Sequence, residues 1–283
     1  MLSYRHAFHA GNHADVLKHL VLTQMLCHMV QKPAPFWAID THAGAGRYSL
    51  ASEQAQKLGE YRQGIGRLWS LKPAEIPEAV ADYLAAVREI NPDGALRHYP
   101  GSPWLIRRQL RRDDRLRLFE LHGNEARLLT ENIRESDRQI RIVAEDGLTL
   151  LKSLLPPPNR RGLVLIDPSY ETSADYAAVL HTLKDALKRF ATGTYLLWYP
   201  QLAKLESRQL PERLKHLPAA QWLHVSLQVK APASDGIGMS GSGLFILNPP
   251  WTLAETLRQT LPWLTEQLAQ DDRATWHLET QET

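Results

Sequence analysis

GLVLIDPSYE, at residues 162–171, is a short apolar run that ends in an aspartate and a proline, with an aromatic ring close behind. A second stretch, GLFILNPPWT at residues 243–252, has the same form with Asn248 in place of the aspartate. A run of apolar and β-branched residues that stops at a proline predicts a buried β-strand. The sequence therefore predicts two strands that each end in a polar group, a proline and a ring.

Strand-like and helix-like segments alternate along most of the chain. Such alternation is typical of a doubly wound sheet, in which right-handed helical crossovers join parallel strands. We predict an α/β fold with a mostly parallel, seven-stranded sheet. The strands are expected at residues 35–40, 115–121, 139–146, 162–167, 193–200, 222–229 and 243–247, and the helices at 14–29, 47–58, 104–112, 124–132, 148–155 and 176–190.

Residues 60–100 interrupt this alternation. The segment combines amphipathic helix, as in PEAVADYLAAVREI, with proline and glycine, and it has no convincing strand pattern. We predict a helical insertion subdomain at 60–100, with residues 1–59 and 101–283 forming the main domain.

Acidic residues lie at the ends of four of the predicted parallel strands, namely Asp40, Glu120, Asp146 and Asp167. Ligands of such sheets bind outside the carboxyl ends of the strands. An edge lined by carboxylates suits a polar, partly cationic ligand with hydroxyls and amines. Glu120 is expected to accept both ribose hydroxyls of a nucleoside, and Asp146 its adenine amine.

The turn after the first strand, DTHAGAG, lets backbone approach a ligand closely at Gly44 and Gly46. Residue 49, where a dinucleotide fingerprint needs a third glycine, is serine, and no phosphate-cradling glycines with a Walker lysine occur. These features favour S-adenosylmethionine over NAD or ATP as the cofactor.

Topology separates the two strand-proline stretches. Only residues 230–242 link the last two predicted strands, which is too short for a crossover helix and predicts an antiparallel hairpin. Asn248 then lies at the edge away from the cofactor, where Trp251 is expected to pack as core. Asp167 lies at the cofactor edge, so we predict that Asp167 is the catalytic residue.

The chemistry expected at Asp167 is activation of an aromatic exocyclic amine. Such an amine is a poor nucleophile because its lone pair is delocalised into the ring. The Asp167 carboxylate and the Pro168 carbonyl are expected to accept its two hydrogens and localise that pair. Tyr170 is expected to stack on the base and to compensate for its extrusion.

The opening residues 1–19, MLSYRHAFHAGNHADVLKH, are basic and aromatic. We expect this arm to contact RNA, with Tyr4 stacking and Lys18 meeting phosphate. His9 and His13 have a metal-compatible spacing, but no His-Glu-x-x-His pattern accompanies them, and no metal is predicted.

Composition places the chain among ordinary soluble proteins. Its 283 residues carry a net charge of +2, which by itself does not establish a nucleic-acid partner. One cysteine excludes an internal disulfide framework. No signal-like segment and no apolar run of about 18 residues occurs, so we expect a cytoplasmic protein without membrane contact.

The opening arm, together with DTHAGAGRY (40–48), YPGSP (99–103) and IDPSYE (166–171), resembles the RlmJ family of bacterial 23S ribosomal RNA adenine-N6 methyltransferases. The resemblance implies a Rossmann-like class I methyltransferase that uses S-adenosylmethionine. It also implies a monomer that modifies adenine 2030 of free 23S rRNA.

Carried over residue by residue, the resemblance assigns most of the site to the cofactor. Asp167 becomes the catalytic residue, and Tyr4 an RNA contact. The implied cofactor residues are His19, His42, Gly44, Ser102, Glu120, Asp146, Gly147 and Asp167, and the implied or expected substrate residues are Tyr4, Lys18, Pro168 and Tyr170.

One position departs from the family pattern, because Ser169 stands where a second proline is usual. A proline there would keep Pro168 extended, so serine leaves the carbonyl less preorganised. Two alternatives stay open: a DNA adenine-N6 methyltransferase, and a non-catalytic RNA-binding protein with the same fold.

Overall fold

The computed structural model describes residues 5–133, 139–236 and 238–281. Its helices, apart from three single 3-10 turns, are α1 (His13–Gln31), α2 (Glu53–Leu58), α3 (Ile65–Trp69), α4 (Glu78–Glu89), α5 (Ser102–Gln109), α6 (Gly123–Asn132), α7 (Gly147–Leu154), α8 (Ser173–Arg189), α9 (Leu205–Lys215) and α10 (Leu253–Leu268). Its strands are β1 (Trp37–Asp40), β2 (Arg47–Ser49), β3 (His98–Pro100), β4 (Arg115–Phe119), β5 (Ile140–Val143), β6 (Gly162–Ile166), β7 (Thr194–Gln201), β8 (Trp222–Gln228), β9 (Gly241–Leu247) and β10 (Thr275–Thr280). Within these ranges, no helix is both long and apolar enough to cross a bilayer.

Eight strands form one sheet in the order β10-β8-β9-β7-β6-β1-β4-β5. The central ladders β6–β7, β6–β1, β1–β4 and β4–β5 are parallel. Asp40, the last residue of β1, pairs with Leu118 of β4 and Leu165 of β6, so these three strands end at the same edge. The predicted α/β class with a mostly parallel sheet is confirmed.

The last strands run against the parallel set, as predicted. β9 is antiparallel to both β7 and β8, so residues 243–247 end at the edge opposite Asp167. Asn248 has a positive φ of 52° there, and its side-chain amide donates to the carbonyls of Ala191 and Gly193, both at 2.7 Å. The Asn248 side chain therefore stabilises the turn that follows β9.

The expectation that Trp251 packs as core is wrong. Its side chain is 85% exposed because it lies in the turn that carries the chain from β9 into α10.

Other differences from the predicted elements arise where pairing is distant in sequence. The sheet has eight strands because β10 adds to β8 at the edge, and α9, α10 and β10 were not predicted. Residues 47–49 form β2 rather than the start of a helix, and β2 pairs with β3, which lies inside the segment thought to lack strands. A three-residue strand has no periodicity of its own, so only its partner reveals it.

Helices cover both faces of the sheet. Because side chains alternate along a strand, Leu163 and Leu165 of β6 face one core while Val164 and Ile166 face the other. The first core contains residues of α1, α4, α5 and α10, and the second contains residues of α7, α8 and α9. The three-layer arrangement leaves the carboxyl edge of the parallel strands open between helices.

The insertion packs on α1 rather than forming a core of its own. Val80 and Leu84 of α4 belong to the same apolar cluster as Leu17 and Leu20 of α1. Covering α1 on this second side explains why it is buried around most of its circumference instead of along one stripe. The boundaries 60 and 100 as domain limits stay a prediction.

Close backbone contact joins the insertion to the start of α1. A Cβ atom on Gly64 would lie 2.2 Å from the carbonyl oxygen of Gly11 and 2.5 Å from the carbonyl carbon of Asn12. Neither backbone atom can move without shifting the cap of α1, where the Asn12 side chain accepts from the N–H groups of Ala14 and Asp15.

We therefore expect Gly64→Ala to lower the free energy of unfolding by about 1–3 kcal/mol, the usual cost of overpacking. Gly123→Ala is the matched control, because a Cβ there meets nothing within 4 Å. Urea denaturation of both variants measures the difference. Equal stabilities would show that the insertion does not constrain the start of α1.

Candidate active site

The carboxyl edge of β1, β4, β5 and β6 surrounds a cavity of about 310 Å³, here called the strand-end cavity. The structure brings to it all eight residues predicted to bind cofactor, together with Pro168. These residues are His19, His42, Gly44, Ser102, Glu120, Asp146, Gly147 and Asp167. Their common location follows from the parallel ladder, whereas their role toward a cofactor stays a prediction.

Glu120 is held by the turn that follows β1. Its Oε2 accepts from the N–H of Gly44 at 2.8 Å, and its Oε1 accepts from the N–H of His122 at 2.7 Å. Burial raises the pKa of Glu120. The turn needs glycine at position 44, where φ is +58° and a Cβ would lie 2.2 Å from the Tyr48 hydroxyl. The carboxylate is therefore fixed in orientation at the cavity wall.

Asp146 caps the N-terminus of α7. Its Oδ1 accepts from the N–H of Leu148 at 2.9 Å, and the Thr149 hydroxyl donates to its Oδ2 at 2.6 Å. The neighbouring Gly147 packs directly on the turn after β1, since a Cβ there would lie 2.4 Å from the carbonyl oxygen of Thr41. This contact brings the start of α7 against the end of β1.

Two buried groups support the cavity from beneath. His19 stacks on Tyr99, and its Nδ1 lies 2.8 Å from the Tyr99 hydroxyl. Burial lowers the pKa of His19 to about 3, so its ring is neutral at physiological pH. Asp40 is fully buried and accepts from the hydroxyl of Ser102 at 2.7 Å and the N–H of His42 at 3.2 Å. Burial raises the pKa of Asp40 to about 7.

The ammonium group of Lys18 joins α1 to the end of β6. Its Nζ lies 2.5 Å from Oδ2 of Asp167 and 2.8 Å from Oδ1 of Asp15. Lys18 is only 4% exposed. Burial alone would lower the pKa of Lys18, but the charges of Asp15 and Asp167 outweigh it and raise that pKa above its usual value.

The predicted phosphate contact of Lys18 is therefore wrong, because two carboxylates neutralise a buried ammonium. Lys18 lies instead beside Asp167.

A second cavity of about 450 Å³, here called the helix-side cavity, lies between the start of α1, the insertion and the end of β7. It meets the strand-end cavity along a shared wall. The residues that line both are His6, Lys18, Asp167, Ser169 and Trp198. Asp167 thus stands at the junction of two spaces, each able to hold part of a bimolecular reaction.

Tyr170 does not face either cavity. It is 2% exposed, its ring packs on Tyr176 with centroids 4.5 Å apart, and its hydroxyl donates to the carbonyl of Trp198 at 2.9 Å. The predicted stacking role of Tyr170 is incompatible with this burial. The backbone at Tyr170 has a positive φ of 51°. Trp198, which lines both cavities, presents the aromatic ring at this place.

Sequence reasoning missed three groups of the site. Asp15 could have been noticed in the sequence, because it is a carboxylate three residues before Lys18 on an apolar helix. Trp198 lies in the strand-end stretch LLWYP, and Glu125, which also lines the strand-end cavity, follows the predicted ribose ligand by five positions.

Part of the opening arm is pinned to the protein. Tyr4 lies outside the described residues. Nε2 of His6 is 2.9 Å from Asp15, and Nδ1 of His9 is 3.0 Å from Glu60. These contacts seat the arm over the helix-side cavity, while its contact with RNA stays a prediction.

Comparison with known proteins agrees with this geometry. The profile of the family described as "RsmJ: Ribosomal RNA large subunit methyltransferase D, RlmJ" matches residues 33–280. The chain belongs to this family. The RlmJ family resemblance inferred from the sequence is thereby confirmed, and the protein is a methyltransferase.

Its relatives within the RlmJ family match along nearly their whole length. "Ribosomal RNA large subunit methyltransferase J" of Haemophilus influenzae is 42% identical over 280 residues, which are 99% of this chain and 98% of the relative. The protein of the same name from Escherichia coli is 45% identical over 268 residues, 95% of this chain and 94% of the relative. A crystal structure of a Legionella pneumophila protein, 34% identical, superimposes with a TM-score of 0.88 and covers 96% of this chain and 98% of that chain.

The raised pKa of Asp40 predicts how the stability of the protein depends on pH. The folded protein holds this proton up to about pH 7, whereas the unfolded aspartate releases it near its ordinary pKa of 3.8. The contribution of Asp40 to stability therefore falls as the pH rises from 3.8 to about 7, and is lowest above that range.

Asp40→Asn removes this titration and keeps an acceptor for Ser102. We expect the stability of Asp40→Asn relative to wild type to improve between pH 4 and pH 8 by on the order of a few kcal/mol. Urea denaturation of both proteins at each pH gives the difference, in which other titrating groups cancel. A difference that does not change with pH would contradict the assignment.

Proposed function

We propose that this protein transfers a methyl group from S-adenosylmethionine to the N6 amine of an adenine in 23S ribosomal RNA, with Asp167 as the catalytic residue. The observation that carries the proposal is the position of Asp167 at the junction of the strand-end and helix-side cavities. One cavity would hold the cofactor and the other the target base. Methyl transfer requires the two to meet at the group that activates the amine.

The strand-end cavity suits S-adenosylmethionine by the chemistry of its wall. Glu120, with its orientation fixed by two backbone donors, would accept the ribose hydroxyls, and Asp146 would accept the adenine amine. The remaining residues we assign to this cofactor are His19, His42, Gly44, Ser102, Gly147 and Asp167. When bound, S-adenosylmethionine supplies an electrophilic methyl group on a sulfonium.

Asp167 would act on the amine through one oxygen. Lys18 engages Oδ2, so we assign Oδ1 to the amine hydrogen. The Pro168 carbonyl would accept the second hydrogen, and the two acceptors together would draw the nitrogen toward a tetrahedral shape with a localised lone pair. The proton that the methylated amine must lose would pass to the same carboxylate. Fixing Asp167 through Lys18 would also reduce the entropy lost in aligning the reactants.

The helix-side cavity would receive the adenine after it leaves its stack. Trp198 offers a ring there, and stacking of a base on an aromatic side chain contributes about 1–3 kcal/mol. That amount offsets much of the few kcal/mol needed for base extrusion. We assign substrate contact to Pro168 and Trp198, and retain Tyr4 as an RNA contact.

The choice of ribosomal RNA follows the family. Both full-length relatives are named ribosomal RNA large subunit methyltransferase J. We infer that the protein acts as a cytoplasmic monomer on free 23S rRNA before subunit assembly, at the family position, adenine 2030.

Tritiated methyl transfer to deproteinised 23S rRNA, assembled large subunits and duplex DNA tests the proposal. We expect N6-methyladenosine in free 23S rRNA alone, identified by nucleoside analysis and located by mass spectrometry of nuclease fragments. An rRNA with guanosine at position 2030 is the matched control and should accept no methyl group.

Methyl transfer to duplex DNA alone would contradict the proposed substrate but not the proposed cofactor site. Absence of transfer to all three nucleic acids, with S-adenosylmethionine bound, would favour a binding protein without turnover.

A further inference from the structure

A cavity of about 430 Å³ lies between α9 and the sheet, and Asp167 is not among the residues that line it. Tyr199 and Gln201 of β7, His224 and Ser226 of β8, and His277 of β10 line it. They project from the sheet face on which Leu210 and Leu214 of α9 pack as core. Burying polar groups at such a position costs free energy unless they have hydrogen-bond partners or bind a ligand.

Three side chains that could hold a metal lie close together here, and two of them, His224 and His277, also line the cavity. His224, His277 and Glu279 each offer one ligand atom, and these atoms lie within 4.8 Å of one another. The strand ladder sets this arrangement, because His224 pairs directly with Glu279, and His277 lies two residues earlier on the same face of β10. Nε2 of His277 is 3.2 Å from Oε2 of Glu279.

His224 is prepared to bind a cation. It is 7% exposed, and its Nε2 lies 2.6 Å from the Tyr199 hydroxyl. Its Nδ1 is buried and has no hydrogen-bond partner within the described ranges. Donation from Nε2–H to Tyr199 would leave the lone pair on Nδ1, the usual support of a metal-bound histidine.

We propose that His224, His277 and Glu279 form a binding site for a divalent transition metal of the zinc type, which ties the edge strand β10 to β8. Ligand bonds of about 2.0–2.2 Å in a tetrahedron separate the ligand atoms by roughly 3.3–3.6 Å. His277 and Glu279 already have nearly that separation. A modest approach of His224 completes three ligands. None of the three proposed ligands lines the strand-end cavity or the helix-side cavity.

Lys215 competes for Glu279. Its Nζ lies 2.8 Å from Oε2 of Glu279 and 2.8 Å from Oε1 of Glu212. A bound metal must draw Glu279 from this ammonium, which can keep Glu212 as its partner. Lys215 should therefore limit the affinity for the metal, and a variant that lacks this ammonium should bind the metal more tightly.

The test uses tag-free, full-length protein treated with chelator and then titrated with Zn²⁺ against a chromogenic indicator. We expect one equivalent to bind wild type, His277→Gln to bind at least tenfold more weakly, and Lys215→Gln to bind several-fold more tightly. His277 is half exposed, so its substitution should not disturb folding. His181→Gln, at an exposed histidine of α8, is the control and should bind as wild type does.

Zn²⁺ should also raise the melting temperature of wild type but not that of His277→Gln. Equal Zn²⁺ affinity of wild type and His277→Gln would overturn the proposal. Binding by Lys215→Gln alone would overturn it as well, because the native ammonium would then hold Glu279 too firmly for a metal.

Discussion

The ion pair between Lys18 and Asp167, supported by Asp15, is the contact on which the site depends. An ammonium this deeply buried would be unstable alone, and its two carboxylates offset the loss of hydration. Because Lys18 lies on α1 and Asp167 follows β6, the interaction fixes a helix to the catalytic strand end. Removing the ammonium would leave two carboxylates without their shared counter-charge.

Much of the remaining architecture keeps this contact aligned. The insertion covers the side of α1 that the sheet does not, and the backbone contact of Gly64 with Gly11 fixes the start of that helix. On the other side, the parallel ladder from β5 to β6 brings Glu120 and Asp146 to the same edge as Asp167. The two cavities can therefore meet at one carboxylate, with Trp198 forming part of the wall that they share.

The sequence was sufficient for the parts that follow from local pattern and topology. Acidic residues at successive strand ends predicted where Asp167 and Glu120 would meet, and the short link before β9 predicted that Asn248 would lie at the other edge. The sequence did not reveal contacts between distant segments. Lys18 and Asp167 are 149 residues apart, and Lys18 was taken for a phosphate ligand. Tyr170 was misplaced for a different reason, because the sequence does not reveal its left-handed backbone conformation.

The central claim is that the Asp167 carboxylate activates the amine, in addition to its contact with Lys18 and its proposed contact with the cofactor. The rate of a single turnover with Asp167→Asn tests this claim most directly. The amide keeps the shape of the carboxylate, and Lys18 keeps Asp15. Single-turnover methyl transfer to free 23S rRNA should fall by about 10²–10⁴-fold, the usual contribution of a positioned proton acceptor. Calorimetric affinity for S-adenosylmethionine should stay within a few-fold of wild type. Methyl transfer at the wild-type rate, or a loss of cofactor binding that accounts for the whole decrease, would contradict the account.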